Sequence, residues 1–212
     1  MICEMLVDAV QTRQYSRGRR QYYHSARVTV KFGPRFGEKS PMKPVRFAVA
    51  LGLAMLGGCT DTYAPKGEPS FYRNLAQPGA ELDATAAASM ISGYRANNGL
   101  STVALDSELM RLAQAQAEVM AKRDKLDHGA GKLFVQRLKA SGYDAKTAAE
   151  NISAGYHTLA EAFSGWRDSN PHRANMLLAG ATRMGIAAVY TPASKYKVYW
   201  SLILAQPDDK KE

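Results

Sequence analysis

The spacing of the apolar residues changes once along the chain, and this change constrains the fold more than any other feature of the sequence. Between residues 82 and 178 the apolar residues recur every three or four positions, as they do along one face of an α-helix. From Met184 onwards they recur at every second position, as in a β-strand. Helices followed by paired strands predict an α+β domain, with helices on the faces of a small antiparallel sheet.

Five helices are predicted in the helical region. They lie at about 82–97, 106–123 and 131–140, from Thr158 onwards, and in a short segment from Asn170–Pro171 to about Leu178. The apolar face of the first helix carries Leu82, Ala86, Met90 and Tyr94. Asp106 is a plausible N-cap for the second helix, and Thr158 with Glu161 has the pattern of a capping box. Asn170 fits an N-cap, and Pro171 fits the first helical position after it.

Three strands are predicted in the second half of the chain. Residues 184–190 and 196–205 both alternate, and the loop at 191–194 joins them as a hairpin. Residues 150–155 form the third candidate strand.

A ten-residue apolar run at 47–56 precedes the predicted domain. It is too short to span a bilayer, which takes about 20 residues, but it has the length of a signal-peptide core. It ends in Leu-Gly-Gly-Cys, which resembles a bacterial lipobox. We therefore expect residues 42–58 to be a lipoprotein signal peptide and Cys59 to become the lipid-modified N-terminus. The alternative is a secretory signal whose cysteine stays free.

The rest of the chain divides around this signal. Residues 59–79 are rich in proline and glycine and are predicted to be a tether, 80–206 the folded domain, and 207–212 a charged tail. Residues 1–41 are arginine-rich and stand ahead of a complete signal peptide. Either Met42 is the true start and residues 1–41 come from an upstream start site, or they extend the basic region of the signal.

Charge and cysteine content exclude two classes of protein. Residues 1–58 hold 10 Lys and Arg against 3 Asp and Glu, a formal charge of +7, whereas residues 59–212 hold 18 against 16, a charge of +2. The folded part is nearly neutral, so we expect no nucleic-acid partner. Only Cys59 follows the predicted signal, so no disulfide partner is expected and the core must be stable without one.

Few residues of the domain could carry chemistry. The histidines after Cys59 are His128, His157 and His172, and Glu150 lies 22 residues from both His128 and His172. That spacing is no local metal motif, and the sequence has no HExxH, CxxC, GxSxG or phosphate-binding loop. His157 precedes the capping box and is expected to be an ordinary surface residue. Taken singly, each of the others also fits a structural role.

Read jointly, several motifs resemble one family. These are LDH at 126–128, AENIS at 149–153, GWRDSNPHRANML at 165–177, RMGIAAV at 183–189 and VYWSLILA at 198–205. In this order they resemble the CAP superfamily, the cysteine-rich secretory, antigen 5 and pathogenesis-related proteins, in its bacterial SCP-like branch. The resemblance covers about residues 80–206, and it implies a three-layer α-β-α sandwich.

The resemblance also implies a cleft with two histidines and two acidic residues. Carried over by position, the histidines are His128 and His172, and one acid is Glu150. The second acid falls on Ser169, a departure that removes one carboxylate and puts a two-carboxylate mechanism in doubt. Asn151 and Asn175 are expected to hold the backbone around the cleft.

Two readings of the remaining site stay open. Two imidazoles and one carboxylate suit a divalent metal such as zinc, with His128, Glu150 and His172 as ligands. Without metal, Glu150 would hydrogen-bond a protonated histidine and clamp the cleft.

The resulting functional prediction is a lipid-anchored protein of the bacterial cell envelope, whose cleft binds a small amphipathic ligand, lipid or divalent metal. If the host is Gram-negative, Thr60 after the cysteine favours the periplasmic side of the outer membrane. The alternative is a metal-dependent, protease-like hydrolase, against which stand the loss of an acid at Ser169 and the lack of an identifiable oxyanion-stabilising donor set. Whether the protein is an enzyme stays open, with a binding role favoured.

Overall fold

The computed structural model describes residues 5–16, 19–30, 67–129 and 131–208. In chain order these form β1 (Met5–Ser16), β2 (Arg19–Val30), a 3₁₀ turn (Ser70–Tyr72), α1 (Ala84–Asn97), β3 (Ala104–Leu105), α2 (Ser107–Arg123), α3 (Phe134–Ala140), β4 (Ala145–Ala154), α4 (Leu159–Asp168), α5 (Asn170–Met176), β5 (Arg183–Tyr190) and β6 (Val198–Pro207). The predicted signal peptide at 42–58, the first part of the tether at 59–66, which includes Cys59, and the end of the charged tail at 209–212 lie outside the described residues.

The five predicted helices are all present, and two of their predicted caps are confirmed. Asp106 accepts hydrogen bonds from the backbone N–H groups of Glu108 and Leu109. Thr158 and Glu161 form the predicted capping box of α4. Across the described part of the chain, no helix combines the length and the apolar character needed to cross a bilayer.

The predicted N-cap of α5 is wrong by one residue. Ser169 occupies the N-cap with an extended backbone, and Asn170 is already helical. The side chain of Asn170 accepts a hydrogen bond from Arg173, one turn further along. Because Ser169 takes the cap position, its backbone carbonyl accepts the first helical hydrogen bond, from the N–H of Arg173 at 2.8 Å.

The buried face of α1 also differs from the prediction. Its fully buried residues are Ala87, Ile91 and Arg95, whereas Met90 and Tyr94 are only partly buried. The predicted stripe is therefore displaced by one residue around the helix. Apolar spacing alone favoured Tyr94 because it assigned an arginine to the solvent side.

The sheet is larger than predicted. Its strand order is β1-β2-β4-β6-β5-β3, and all neighbours are antiparallel except β3 and β5. β3 pairs only Ala104 and Leu105 with β5, which is too short for an alternating pattern to reveal it. β1 and β2 lie in the segment that the sequence analysis placed ahead of the signal peptide.

Helices cover both faces of the sheet, which confirms the predicted α+β class and its three layers. One layer contains α1, α4 and α5, which pack with Trp166 and Met176 against Trp200 and Leu202 of β6. The other contains α2 and α3, which pack against Ile203 and neighbouring small residues. Since successive residues of a strand face opposite sides of the sheet, β5 and β6 bury residues on both of their faces.

Gly185 of β5 marks the closest approach of α2 to the sheet. A methyl group at this position would overlap the backbone of Leu109 and Met110. We therefore expect Gly185→Ala to lower the free energy of unfolding by about 2–3 kcal/mol, the usual effect of overpacking. The matched control is Gly93→Ala in α1, where the added methyl group meets no atom within 4 Å. It should gain about 0.5–1 kcal/mol through helix propensity. If urea denaturation gave the same change in the free energy of unfolding for Gly185→Ala and Gly93→Ala, the close packing of α2 on Gly185 would be contradicted.

Candidate functional site

Glu150 of β4 is the best-connected acidic residue of the described chain. It is fully buried, and both of its carboxylate oxygens accept hydrogen bonds from Nη2 of Arg137, at 2.7 and 2.9 Å. Its Oε2 lies 2.7 Å from Nδ1 of His128, and the hydroxyl of Ser201 approaches Oε1 at 3.4 Å. Burial of a carboxylate is costly unless it is paired and hydrogen-bonded, and here both conditions are met.

Two opposing effects act on the pKa of Glu150. Burial is the largest single effect and raises the pKa, because it disfavours the charged form. The charge of Arg137 and the hydrogen bond with His128 act in the other direction. Together they outweigh burial and hold the pKa of Glu150 below its ordinary value of 4.5. The carboxylate is therefore ionised throughout the neutral range.

Ser169 and His172 form a second buried group at the start of α5. The hydroxyl of Ser169 lies 2.8 Å from Nδ1 of His172, and both residues are buried. The serine that stands in place of an expected acid thus contacts the histidine of the same motif. It does so while it also provides the N-cap of the helix.

Two asparagines attach α5 to β4. Nδ2 of Asn151 donates to the backbone carbonyl of His172 at 3.0 Å. Nδ2 of Asn175 donates to Oδ1 of Asn151 at 3.0 Å and approaches the backbone carbonyl of Glu150 at 3.3 Å. These buried bonds fix the position of α5 along the strand.

The two groups approach β4 from opposite faces of the sheet. Glu150 meets His128 and Arg137 on the side of α2 and α3, while Asn151 meets α5 on the other side, as alternation along a strand requires. The structure thus brings His128 together with Glu150, and His172 together with Ser169, Asn151 and Asn175. The backbone of β2 runs beside both groups, with Ala26 opposite Glu150 and Ser25 opposite Asn151.

The predicted zinc ligands do not form one ligand set in this arrangement. Among the described residues, no group of three or more His, Cys, Asp and Glu side chains is placed to hold a metal ion. The oxygens of Glu150 are bonded to Arg137, and Nδ1 of His172 is bonded to Ser169. A zinc ion bound by Glu150 would have to displace at least one of the hydrogen bonds to its carboxylate, whereas His172 could keep its bond to Ser169 and bind through Nε2.

Two arginines that hold the site were not predicted as site residues. Arg137 pairs with Glu150, and Arg95 is fully buried beneath the end of α5. A signal for Arg137 exists in the sequence, because it shares the apolar face of α3 with Phe134 and Leu138. A charged residue on such a face indicates a buried partner.

Arg95 binds the backbone at the C-terminal end of α5. Its guanidinium donates to the carbonyls of Met176, Leu178 and Ala181 at 2.8–3.0 Å, and its Nε donates to Ser101 at 2.9 Å. The last carbonyls of a helix have no helical partner and carry partial negative charge, which suits a cation. Burial lowers the pKa of Arg95, but an arginine keeps its charge in proteins.

Comparison with known proteins agrees with this architecture. Residues 88–204, more than half of the chain, match the CAP family profile, described as the cysteine-rich secretory protein family. The uncharacterized protein YkwD of Bacillus subtilis is 31% identical over 119 residues, which are 50% of this chain and 46% of the relative. The chain thus matches about half the length of that relative.

Two solved structures share the fold at low sequence identity. An extracellular protein of Bacillus anthracis that contains an SCP domain has a TM-score of 0.51 and 20% identity, covering 57% of this chain and 39% of that one. An outer surface protein of Borrelia burgdorferi has a TM-score of 0.53 and 16% identity, covering 59% and 93%. Because the family profile matches residues 88–204, more than half of the chain, the predicted resemblance is confirmed, and the chain belongs to the CAP family.

Proposed function

We propose that the protein is a lipid-anchored CAP-domain protein of the bacterial cell envelope, and that its domain binds a ligand instead of catalysing hydrolysis. The single observation that favours binding over hydrolysis is the engagement of Glu150. Its two oxygens are bonded to Arg137, and one of them is also bonded to His128. In this proposal the His128–Glu150–Arg137 group is a clamp that joins α3 and the segment after α2 to the sheet.

The pKa of Glu150 supports the same choice. An efficient general base has a pKa near the working pH, which for a carboxyl requires a raised value. The pKa of Glu150 is lowered instead. A metal-dependent hydrolase would also need Glu150 to leave Arg137 before it could bind the metal or accept a proton from water.

The ligand we propose is a small amphipathic molecule, as the family resemblance implies, and the partner of the N-terminus is the membrane through lipidated Cys59. The lipobox-like sequence at 56–59 supports the anchor. The proposed location is the envelope, at the periplasmic side of the outer membrane in a Gram-negative host. Attachment through two or more acyl chains is stable, whereas a single chain binds reversibly.

The anchor is tested by Cys59→Ser in a bacterial host, with the full chain as the starting material. We expect the parent protein in the membrane fraction, with an N-terminal peptide whose mass carries an acylated cysteine at position 59. Cys59→Ser should lack this mass and leave the membrane fraction or accumulate uncleaved. Cys3→Ser is the matched control and should behave as the parent. A parent protein whose Cys59 carries no acyl group, or acylation that persists in Cys59→Ser, would contradict the anchor.

A further inference from the structure

β4 is the strand of the domain that meets the N-terminal hairpin. Within residues 67–208 the sheet order is β4-β6-β5-β3, so that β4 is at one edge and the hairpin is paired to it from outside. β2 pairs antiparallel with β4 from Tyr22 opposite Ala154 to Thr29 opposite Thr147, without a register shift. The outer backbone groups of β4 are therefore paired by a segment far away in the sequence.

From Ala148 to Ala154, β4 carries one feature that protects an exposed edge, the inward-pointing charge of Glu150, and it has no lysine, proline or bulge there. Natural edge strands carry lysine, proline, bulges or inward-pointing charges that prevent pairing with another chain. In β4 the lysine and the irregular pairing lie at its start, around Lys146. From Ala148 to Ala154 the only charged residue is Glu150, and its charge is balanced by Arg137. This part of β4 is a regular, uninterrupted pairing edge.

A helix stands beside this edge. α5 contacts both β2 and β4, so a strand paired with β4 also lies against α5. The Asn151–Asn175 bond fixes α5 to β4, and Arg95 binds the backbone at the C-terminal end of α5. The domain itself therefore provides the site at which a strand can bind, with β4 as the pairing strand and α5 beside it.

We propose that the outer edge of β4 from Ala148 to Ala154 is a binding site for an extended peptide of a partner protein, which pairs with β4 as an added strand. This inference rests on the proposed function, because removal of residues 1–58 at Cys59 would take β2 away and leave the edge open. Such recognition draws affinity from backbone hydrogen bonds and selectivity from the side chains that alternate along the strand.

The register of β2 indicates which peptides fit. The residues opposite Asn151 and Glu150 are Ser25 and Ala26, both small and uncharged. These positions lie opposite the two residues of β4 that carry the buried polar groups of the site. We expect a preferred ligand with small residues at two adjacent positions of an extended segment.

The test uses the full chain, folded first and then cut at a protease site inserted within residues 32–66. The probe is a synthetic peptide of residues 19–30, added in excess after the cut N-terminal fragment has been removed. The matched control is the same peptide with Ser25→Pro and Ala26→Pro, which lacks two backbone donors. The readout is amide hydrogen exchange of residues 147–154, with residues 198–207 of β6 as the internal reference.

Once the fragment is removed, we expect the 19–30 peptide to pair with β4 and the proline peptide not to pair. When the fragment is removed without replacement, exchange in 147–154 should accelerate at least about tenfold, comparable to the loss of one backbone hydrogen bond, while β6 stays slow. The peptide should restore the slow rate. The proposal would be overturned if the exchange rates of residues 147–154 changed neither on removal of the fragment nor on addition of the peptide. Acceleration in β6 as well would also overturn it, because β2 would then be a fixed part of the fold.

This outcome is separable from that of the anchor test. The cut is made in the purified protein and does not depend on natural processing. If the peptide does not bind, the expected mass of the acylated Cys59 peptide is unchanged. If Cys59 is not acylated, the edge of β4 can still pair with the peptide in the cut protein.

Discussion

Replacement of Arg137 by methionine is expected to lower the free energy of unfolding by about 3–5 kcal/mol, the usual loss when one partner of a buried ion pair is removed. Methionine keeps much of the side-chain volume, so the loss reports on charge and hydrogen bonds. Glu150 would keep His128 but lose the two bonds from Nη2 of Arg137. Urea denaturation at pH 7 measures the change.

The double variant Arg137→Met with Glu150→Gln provides the decisive comparison. Because it removes the buried charge together with its partner, it should be more stable than Arg137→Met alone, with a coupling of about 2 kcal/mol. The matched control is Arg111→Met, which removes the exposed arginine that pairs with Glu108 on the surface of α2, and should change stability little. Additive effects of Arg137→Met and Glu150→Gln would contradict the clamp.

Replacement of Arg95 by methionine is expected to cost a comparable amount, about 3–5 kcal/mol, for a different reason. No carboxylate within the described residues pairs with Arg95, and all of its bonds go to backbone carbonyls. The carbonyl of Met176 would lose its donor, at a cost of about 1–3 kcal/mol. The carbonyls of Leu178 and Ala181 would keep hydrogen bonds from the N–H of Ala181 and the hydroxyl of Ser101, but without the charge of the guanidinium. The carbonyls of Met176, Leu178 and Ala181 lie at the end of α5 or shortly after it. In the Arg95→Met variant, the backbone amides of α5 should therefore also exchange faster with solvent.

The control for Arg95 is Arg123→Met, which removes an exposed arginine from the last turn of α2 and should leave both stability and exchange in α5 nearly unchanged. Arg95→Lys keeps the charge but has too few donors in a fixed plane to serve the same carbonyls, so it should recover only part of the loss. A fully stable Arg95→Met variant would contradict the assignment of Arg95 as the anchor of α5.

Local patterns predicted the fold well because the elements follow local rules. The caps at Asp106 and Thr158 depend on side chains within three residues, and both are confirmed. The shift at Ser169 shows the limit of such rules. Ser169 and Asn170 are both good caps, and residue type alone does not choose between them.

The buried arginines could not be predicted in the same way. Arg95 lies 81 residues from Met176, and Arg137 lies 13 residues from Glu150 in another element. Helical spacing places an arginine on the solvent side of a helix unless its buried partner is known. The predicted inner face of α1 is therefore displaced by one residue from the observed face of Ala87, Ile91 and Arg95. The residues of a site can be aligned by motif, but their bonds depend on contacts that the sequence does not specify.

The candidate site was predicted as one cleft, and the structure arranges its residues in two groups. Glu150 and Asn151 are neighbours in sequence, yet they face opposite sides of the sheet because a strand alternates. The motif AENIS therefore supplies one group with an acid and the other with an amide. The alternation of side chains along a strand predicts that Glu150 and Asn151 face opposite sides of the sheet, once AENIS is recognised as part of a strand.

The most direct test of the clamp is the carboxyl ¹³C shift of Glu150, assigned by its loss in Glu150→Gln and followed from pH 3 to 8 with and without one equivalent of zinc. We expect a titration below 4.5 and no change with zinc. Since the folded pKa is lowered, the stability from this carboxylate is present above its unfolded value and is lost as the pH falls through the folded value. A titration above 4.5, or a shift of the Glu150 resonance on addition of zinc, would contradict the account.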